Sequence, residues 1–335
     1  MRFSKFFPGY WARTLVPALL AFVLASVSGA TVRANDVPFD TWLEGLKSEA
    51  RGRGISDATL TAALGTAKPI DKVLKLDRSQ PEFTRTFEDY LASTVSASRV
   101  ALGRKLYAEN AAILNKIGTT YKVQPRFIVA FWGIESDFGR LQGGFPVCQA
   151  LATLAWDGRR SSFFRDELLN ALTIVEEGHI TAQAMTGSWA GAMGQTQFMP
   201  SSFRKFAVDY DGDGRRDIWT TRKDVFASIA NYLAQSGWHS DETWGRRVTL
   251  PEGFDPALIS LDVQKSLFDW QALGVRRADG TALPAFNLQG SLVKPSDGKQ
   301  VFMVYSNYRT TLLWNRSTYF ALAVGHLADA IGSGG

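Results

Sequence analysis

Pro125-Arg126-Phe127-Ile128-Val129-Ala130-Phe131-Trp132-Gly133-Ile134-Glu135 is the stretch on which the fold of this chain turns. Proline opens a helix well, because its missing N–H would have no intrahelical partner at the first position. Gly139 offers a stop. At about 100° per residue, Glu135 falls near Phe131 and Ile128, on the side that the helix buries. A carboxylate there costs free energy unless it is paired or protonated. It either pairs with an arginine in the core or, through desolvation, has its pKa raised to that of a general acid near neutral pH. Asp137 lies about 200° round the same wheel and reads as a solvent-facing or capping residue.

Working outward, the pattern from Phe39 to about Ile117 is helical, with Leu43, Leu46, Leu102, Leu106, Ile113 and Ile117 at helix spacing. Phe163 to Val175 reads as an amphipathic helix. Val225, Ile229, Tyr232 and Leu233 mark another, ending near Gly237. A last helix follows Ser317, with Phe320, Val324, Leu327 and Ile331 on one stripe. Between Arg246 and Tyr305 glycine and proline become frequent, and Val301-Phe302-Met303-Val304-Tyr305 looks like a strand. The expected organisation is a leader over 1–34, a helical lobe and catalytic core over 35–245, a small β-containing lobe over 246–305, and a C-terminal helix over 306–335 returning to the core.

Hydrophobic residues make up 45% and charged residues 21% of the 335 positions, which argues against global disorder. Arg2, Lys5 and Arg13 precede the apolar run Leu15–Ala25, and small residues around Ala30 and Ala34 offer cleavage sites. This is a secretory leader, too short to span a membrane. Cleavage after Ala34 removes four basic residues and no acid, lowering the formal charge from +5 to about +1. The basic pI therefore belongs largely to the leader and gives no reason to expect nucleic acid. Cys148 is the single cysteine, so no intrachain disulfide forms. No cysteine follows the leader to carry a lipid anchor. The mature chain is expected free in the periplasm.

Gly187-Ser188-Trp189-Ala190-Gly191-Ala192-Met193-Gly194-Gln195-Thr196-Gln197-Phe198-Met199-Pro200-Ser201-Ser202 mixes small residues with Gln, Ser and Trp. It suits either a close-packed helix seam or a surface for hydroxyl and acetamido groups. Further on, Asp209-Tyr210-Asp211-Gly212-Asp213-Gly214-Arg215-Arg216-Asp217 sets acids at loop positions one, three, five and nine, with Gly at six. That is the first half of an EF-hand loop, with the Arg215 carbonyl at position seven. Thr220 stands at position twelve in place of a bidentate glutamate. The alternative is a solvated acidic turn balanced by Arg215, Arg216 and Arg222.

Together the Gly187–Ser202 segment, the Asp209–Tyr232 stretch, Phe131-Trp132-Gly133-Ile134-Glu135-Ser136-Asp137-Phe138-Gly139 and Trp314-Asn315-Arg316-Ser317-Thr318-Tyr319 resemble the lytic murein transglycosylase B family. The resemblance implies a mainly α protein: a lysozyme-like helical core, a helical N-terminal lobe and a small β-containing inserted lobe. It implies Glu135 as sole acid/base, protonating the oxygen between N-acetylmuramic acid and N-acetylglucosamine. The same group would then deprotonate the muramyl 6-hydroxyl to close a 1,6-anhydro ring. Tyr90, Ser188, Gln197, Tyr232 and Asn315 match cleft positions. Trp314 stands where the family resemblance implies a tyrosine, and it retains a stacking face. The resemblance adds Asp224 to Asp209, Asp211, Asp213 and Arg215 around a structural calcium ion, with no cofactor for catalysis. The implied partners are peptidoglycan glycan strands, with cell-wall remodelling proteins as further candidates. The rival readings are a lysozyme-type hydrolase using the same glutamate and a non-catalytic peptidoglycan-binding scaffold.

Overall fold

The computed structural model describes residues 37–79, 85–295 and 298–333, so the leader expected over 1–34 lies outside the described residues. Helix Pro125–Ser136 runs through one of the cores, with Phe127 to Gly133 buried without a break. A helix apolar on all sides must be surrounded. Helices Thr318–Gly332, Ala97–Glu109, Arg222–Gln235 and Ala111–Tyr121 pack around it.

The helix ends at Ser136, three residues before the expected glycine. Asp137, Phe138 and Gly139 all take positive φ, at 50°, 59° and 84°. The cause is the Phe138 ring, which folds back beneath the helix and lies 5.4 Å from Trp132. Only glycine at 133 leaves room, since a Cβ there would sit 2.6 Å from the Phe138 ring. Arg99 and Arg140 hold the Asp137 carboxylate, and its backbone N–H caps the helix on Gly133 O. Left-handed backbone at a non-glycine residue costs about 1–3 kcal/mol, so strain is stored directly after Glu135.

A second core lies between helices Val147–Asp157 and Ser161–Glu176, which join through Gly158 at φ 90°. The N-terminal helices Phe39–Gly52, Asp57–Leu64 and Asp71–Arg78 cover it. Buried Asp77 takes the guanidinium groups of Arg159 and Arg160, so its charge is paired rather than stranded.

The third core belongs to a five-stranded antiparallel sheet in the spatial order Lys265–Ser266, Gln289–Val293, Val301–Val304, Gly245–Thr249, Arg276–Arg277. Strand Val301–Val304 alternates between two cores: Met303 faces the sheet's own core, with Trp270 and Leu292, while Phe302 and Val304 enter the core of the Pro125 helix. Helices Ser306–Trp314 and Thr318–Gly332 follow directly, and the second packs on Pro125–Ser136. The described residues form one compact unit. The expected mainly α architecture with a small sheet is the one observed. Among the described residues no helix is long and apolar enough to cross a membrane.

Candidate active site

Glu135 is the penultimate residue of its helix, and among the described residues no arginine pairs with it. Burial pushes its pKa up to about 8, opposed by one hydrogen bond from Trp314. In that bond the indole Nε1–H donates to Glu135 Oε1 at 2.6 Å. The two residues are 179 positions apart. Trp314 ends its own helix inside a cage of rings: Tyr232 at 4.5 Å, Phe131 at 4.7 Å and Phe198 at 5.1 Å. Tyr232 Oη donates to Leu313 O at 2.9 Å and so fixes the end of the Trp314 helix. A carboxyl group with this pKa is mostly protonated at neutral pH and able to give up its proton, as a general acid requires.

Tyr90 sits on helix Phe87–Thr94, its ring 5.6 Å from Tyr319. Burial raises its pKa, a Thr94 hydrogen bond lowers it, and the Glu135 charge raises it further. The coupling runs one way, because Glu135 ionises first and Tyr90 is still neutral when it does. Tyr90 is therefore electrostatically close to the carboxyl group.

The Gly187–Ser202 segment is held against the Glu135 helix by Gln195. Its Oε1 accepts from Trp132 Nε1–H at 2.8 Å, its Nε2 donates to Trp219 O at 2.7 Å, and its backbone O accepts from Ser136 Oγ at 2.7 Å. Gln197 takes a left-handed backbone (φ 49°), and its Nε2 donates to Gly194 O at 2.8 Å and Gln142 O at 3.2 Å. Ser188 Oγ accepts from the N–H groups of Ala192 and Ala190 and shapes the turn. At Gly143 a Cβ would meet Gly187 O at 2.1 Å, so the loop after Glu135 lies directly on this segment.

In the acid loop, carboxylate oxygens of Asp209, Asp211 and Asp213 all lie within 4.8 Å of one another. Asp209 accepts N–H bonds from Gly212, Asp213 and Gly214. Asp224 stands apart, fully buried, with Oδ1 on Tyr210 N–H and Oδ2 on Asp217 N–H. Burial pushes its pKa to about 6; those N–H bonds oppose the rise, and the charges of Asp211 and Asp209 add to it. Burial alone would raise Asp217 as well, but hydrogen bonds from Thr220, Trp219 and Thr221 outweigh it and hold the group below the usual range. Arg215 donates its backbone N–H to Asp213 and turns its guanidinium to His179 O.

A family model described as a transglycosylase SLT domain matches residues 38–329. The chain belongs to the transglycosylase SLT family. It is 30% identical over 296 residues to the membrane-bound lytic murein transglycosylase B of Escherichia coli strain K12, covering 83% of this chain and 79% of that protein. Among solved structures it is similar to SltB3 from Pseudomonas aeruginosa in complex with NAG-anhNAM-pentapeptide, at 43% identity and a TM-score of 0.85, covering 89% of this chain and 80% of that one. The Escherichia coli lytic transglycosylase Slt35 in complex with calcium matches at 28% identity and a TM-score of 0.73, covering 89% and 94% of the two chains.

Of the cleft positions expected for a transglycosylase SLT protein, the fold gathers Tyr90, Tyr232 and Trp314 around Glu135. Trp314 packs its ring in the cage and donates its N–H to the carboxyl group, and it stays half-buried. Asn315 is exposed and its Oδ1 accepts from Ser317 N–H, a turn-forming bond within the connection between the last two helices. In the acid loop Asp209, Asp211 and Asp213 form the close group of three, while Asp224 accepts backbone N–H bonds on both oxygens and feels the charges of Asp211 and Asp209. Gln195 was not singled out in the sequence. A buried indole N–H must find an acceptor, and that is the signal Trp132 gave. With ten tryptophans in the chain, it named neither the donor nor its partner.

Proposed function

We propose that the protein is exported to the periplasm and cuts the β-1,4 bond between N-acetylmuramic acid and N-acetylglucosamine in peptidoglycan, with Glu135 as the only acid/base. The observation that carries this is a carboxyl group with a pKa of about 8, which no neighbouring charge among the described residues shifts. Two-carboxylate glycosidases set a second acid across the bond to serve as nucleophile or to activate water. Asp137, the nearest acid in sequence, is engaged by Arg99 and Arg140. A single group that protonates the leaving oxygen and then accepts the proton of the muramyl 6-hydroxyl needs no such partner. The bond to the leaving sugar breaks, the 6-oxygen closes on the anomeric carbon, and no water is consumed. The cationic centre is stabilised by the substrate's own acetamido group or by cleft dipoles. The relative SltB3 has been solved with an anhydromuramyl fragment, which favours the same outcome here.

Tyr90, Ser188, Gln197, Tyr232, Trp314 and Asn315 are the residues proposed to line the cleft for the glycan strand. Asp209, Asp211 and Asp213 have the hard oxygen donors that calcium takes, with ligand atoms close enough to share one ion, and the Arg215 carbonyl and Asp224 are proposed to complete the set. Calcium there would supply structural charge neutralisation and no chemistry. The small β-containing lobe over 246–305 and the C-terminal segment over 306–335 that returns to the core are proposed to form one interlocked unit with the 35–245 body, with cell-wall remodelling proteins as further partners.

Digestion of purified sacculi in water enriched in heavy oxygen tests the reaction. Muropeptides ending in a 1,6-anhydromuramyl residue, one water lighter than hydrolytic products and free of label, are expected. Products that all carry solvent oxygen would assign the protein to the lysozyme-type hydrolases.

A further inference from the structure

Taking Glu135 as the acid/base, as proposed above, we infer that Trp314 is a positioning residue that decides which carboxyl oxygen moves the proton, holding Oε1 and leaving Oε2 for the glycosidic bond.

An indole N–H donates a hydrogen bond and cannot accept one. At 2.6 Å from Oε1 it therefore has a single way to bond, whatever the protonation state of the acid. In the neutral acid the carbonyl oxygen is the stronger acceptor, so the N–H selects the form with Oε1 as carbonyl and the hydroxyl on Oε2. In the ionised form it stabilises negative charge on Oε1, and Oε2 keeps its lone pairs for the incoming proton. A phenol at this place could donate or accept and would impose no such choice.

The cage makes the choice rigid. Phe131 comes from the Glu135 helix itself, Tyr232 from helix Arg222–Gln235, and Phe198 from the segment clamped by Gln195. Tyr232 Oη is taken by Leu313 O, the residue before Trp314, which removes the remaining swing at this end of the helix. Several charged or titratable groups on the surrounding elements are engaged elsewhere. Tyr90, on helix Phe87–Thr94, is raised above Glu135 and stays neutral while Glu135 titrates. Arg99, on helix Ala97–Glu109, is bonded to Asp137 and Thr94 O, and Arg222 lies over the Trp132 ring. Tyr319, on helix Thr318–Gly332, packs at a tilt against Tyr90.

The consequence is a role distinct from packing. Proton transfer goes out from Oε2 when the glycosidic bond breaks and returns to Oε2 when the muramyl hydroxyl closes the ring. Both transfers use one oriented atom, the near-attack alignment that accelerates a step without any new contact to substrate.

The test removes the N–H and keeps the ring. Trp314→Phe and a variant with benzothienylalanine at 314, whose sulfur replaces the N–H at nearly unchanged shape, are compared with Trp314→Tyr and Glu135→Gln. The expected result is a drop in kcat of about 10–100-fold with KM little changed, since orientation is lost and binding is not. The alkaline limb of the kcat/KM profile should move up by about one pH unit, because a donor to the ionised carboxylate is gone. Trp314→Tyr, which restores a donor, should bring the limb back. A folded benzothienylalanine variant with the wild-type limb, whether its rate is kept or lost, overturns the inference and leaves Trp314 as packing. Activity in Glu135→Gln would instead overturn the acid/base reading beneath it.

Discussion

Glu135 and the Asp209–Asp224 loop are both built from carboxyl groups, yet the fold treats them oppositely. Glu135 receives one hydrogen bond, from Trp314, and burial pushes its pKa up, so its acid form persists to about pH 8. Asp209 receives three backbone N–H groups, and Asp217 is ringed by donors from Trp219, Thr220 and Thr221. Several donors hold Asp217 below the usual carboxylate range, whereas burial with a single donor keeps the proton on Glu135. The two regions differ in donor count and desolvation, since the functional group is the same. Asp224 shows the intermediate case, with two N–H donors set against complete burial and two nearby acids, and a pKa of about 6.

Changing Glu135 alone should produce the largest effect. Glu135→Gln is nearly isosteric and strands no charge, so the fold should survive while turnover falls by ~10²–10⁴-fold or more. Release of soluble muropeptides from sacculi measures it, and near-normal turnover by the folded variant would move the chemistry elsewhere.

Gln195 joins the two regions, since its amide spans Trp132 on the Glu135 helix and Trp219 beside the acid loop. Gln195→Ala leaves a buried N–H and a buried carbonyl without partners and should cost about 2–4 kcal/mol of stability. Urea unfolding reads this directly. A midpoint equal to wild type would mean that the two regions are held together by other contacts.

The contrast also predicts a pH signature. Glu135 has a folded-state pKa well above its unfolded value, so the folded state favours the protonated form. Its contribution to stability is full below the unfolded pKa of about 4.3, falls as pH rises, and is lost once pH passes about 8. Glu135→Gln does not titrate, so its melting temperature should gain on wild type between pH 5 and about 9, with no further gain above that. Parallel curves across this range would show that the carboxyl group is not desolvated as described.

The smallest effect belongs to the acid loop. Millimolar calcium should raise the melting temperature by about 2–5 °C relative to chelator, if binding is confined to the folded state. Asp211→Asn should abolish the rise while leaving the alkaline limb of Glu135 in place. Identical melts with calcium and chelator would reduce the loop to an acidic turn.

Much of this was legible in the chain itself. The helix through Glu135, the end near Gly237, the small sheet lobe and the alternate acids with Gly212 between them are all encoded by local periodicity and backbone preference, which act over a few residues. The same local rules explain why the helix end was misjudged. Gly139 was the visible stop, while the actual stop comes from Phe138 reaching back to Gly133, a contact between side chain and groove.

What only the tertiary structure decided are the pairings across long separations. Trp314 reaches Glu135 over 179 residues, and Gln195 reaches Trp132 over 63. Asp224 gives both its oxygens to backbone N–H groups, which no reading of acid spacing could announce. Sequence fixes which groups need a partner, because burial of an N–H or a carboxyl group is costly unless it is met. Which group meets it depends on how distant segments pack together, and that is a property of the folded chain.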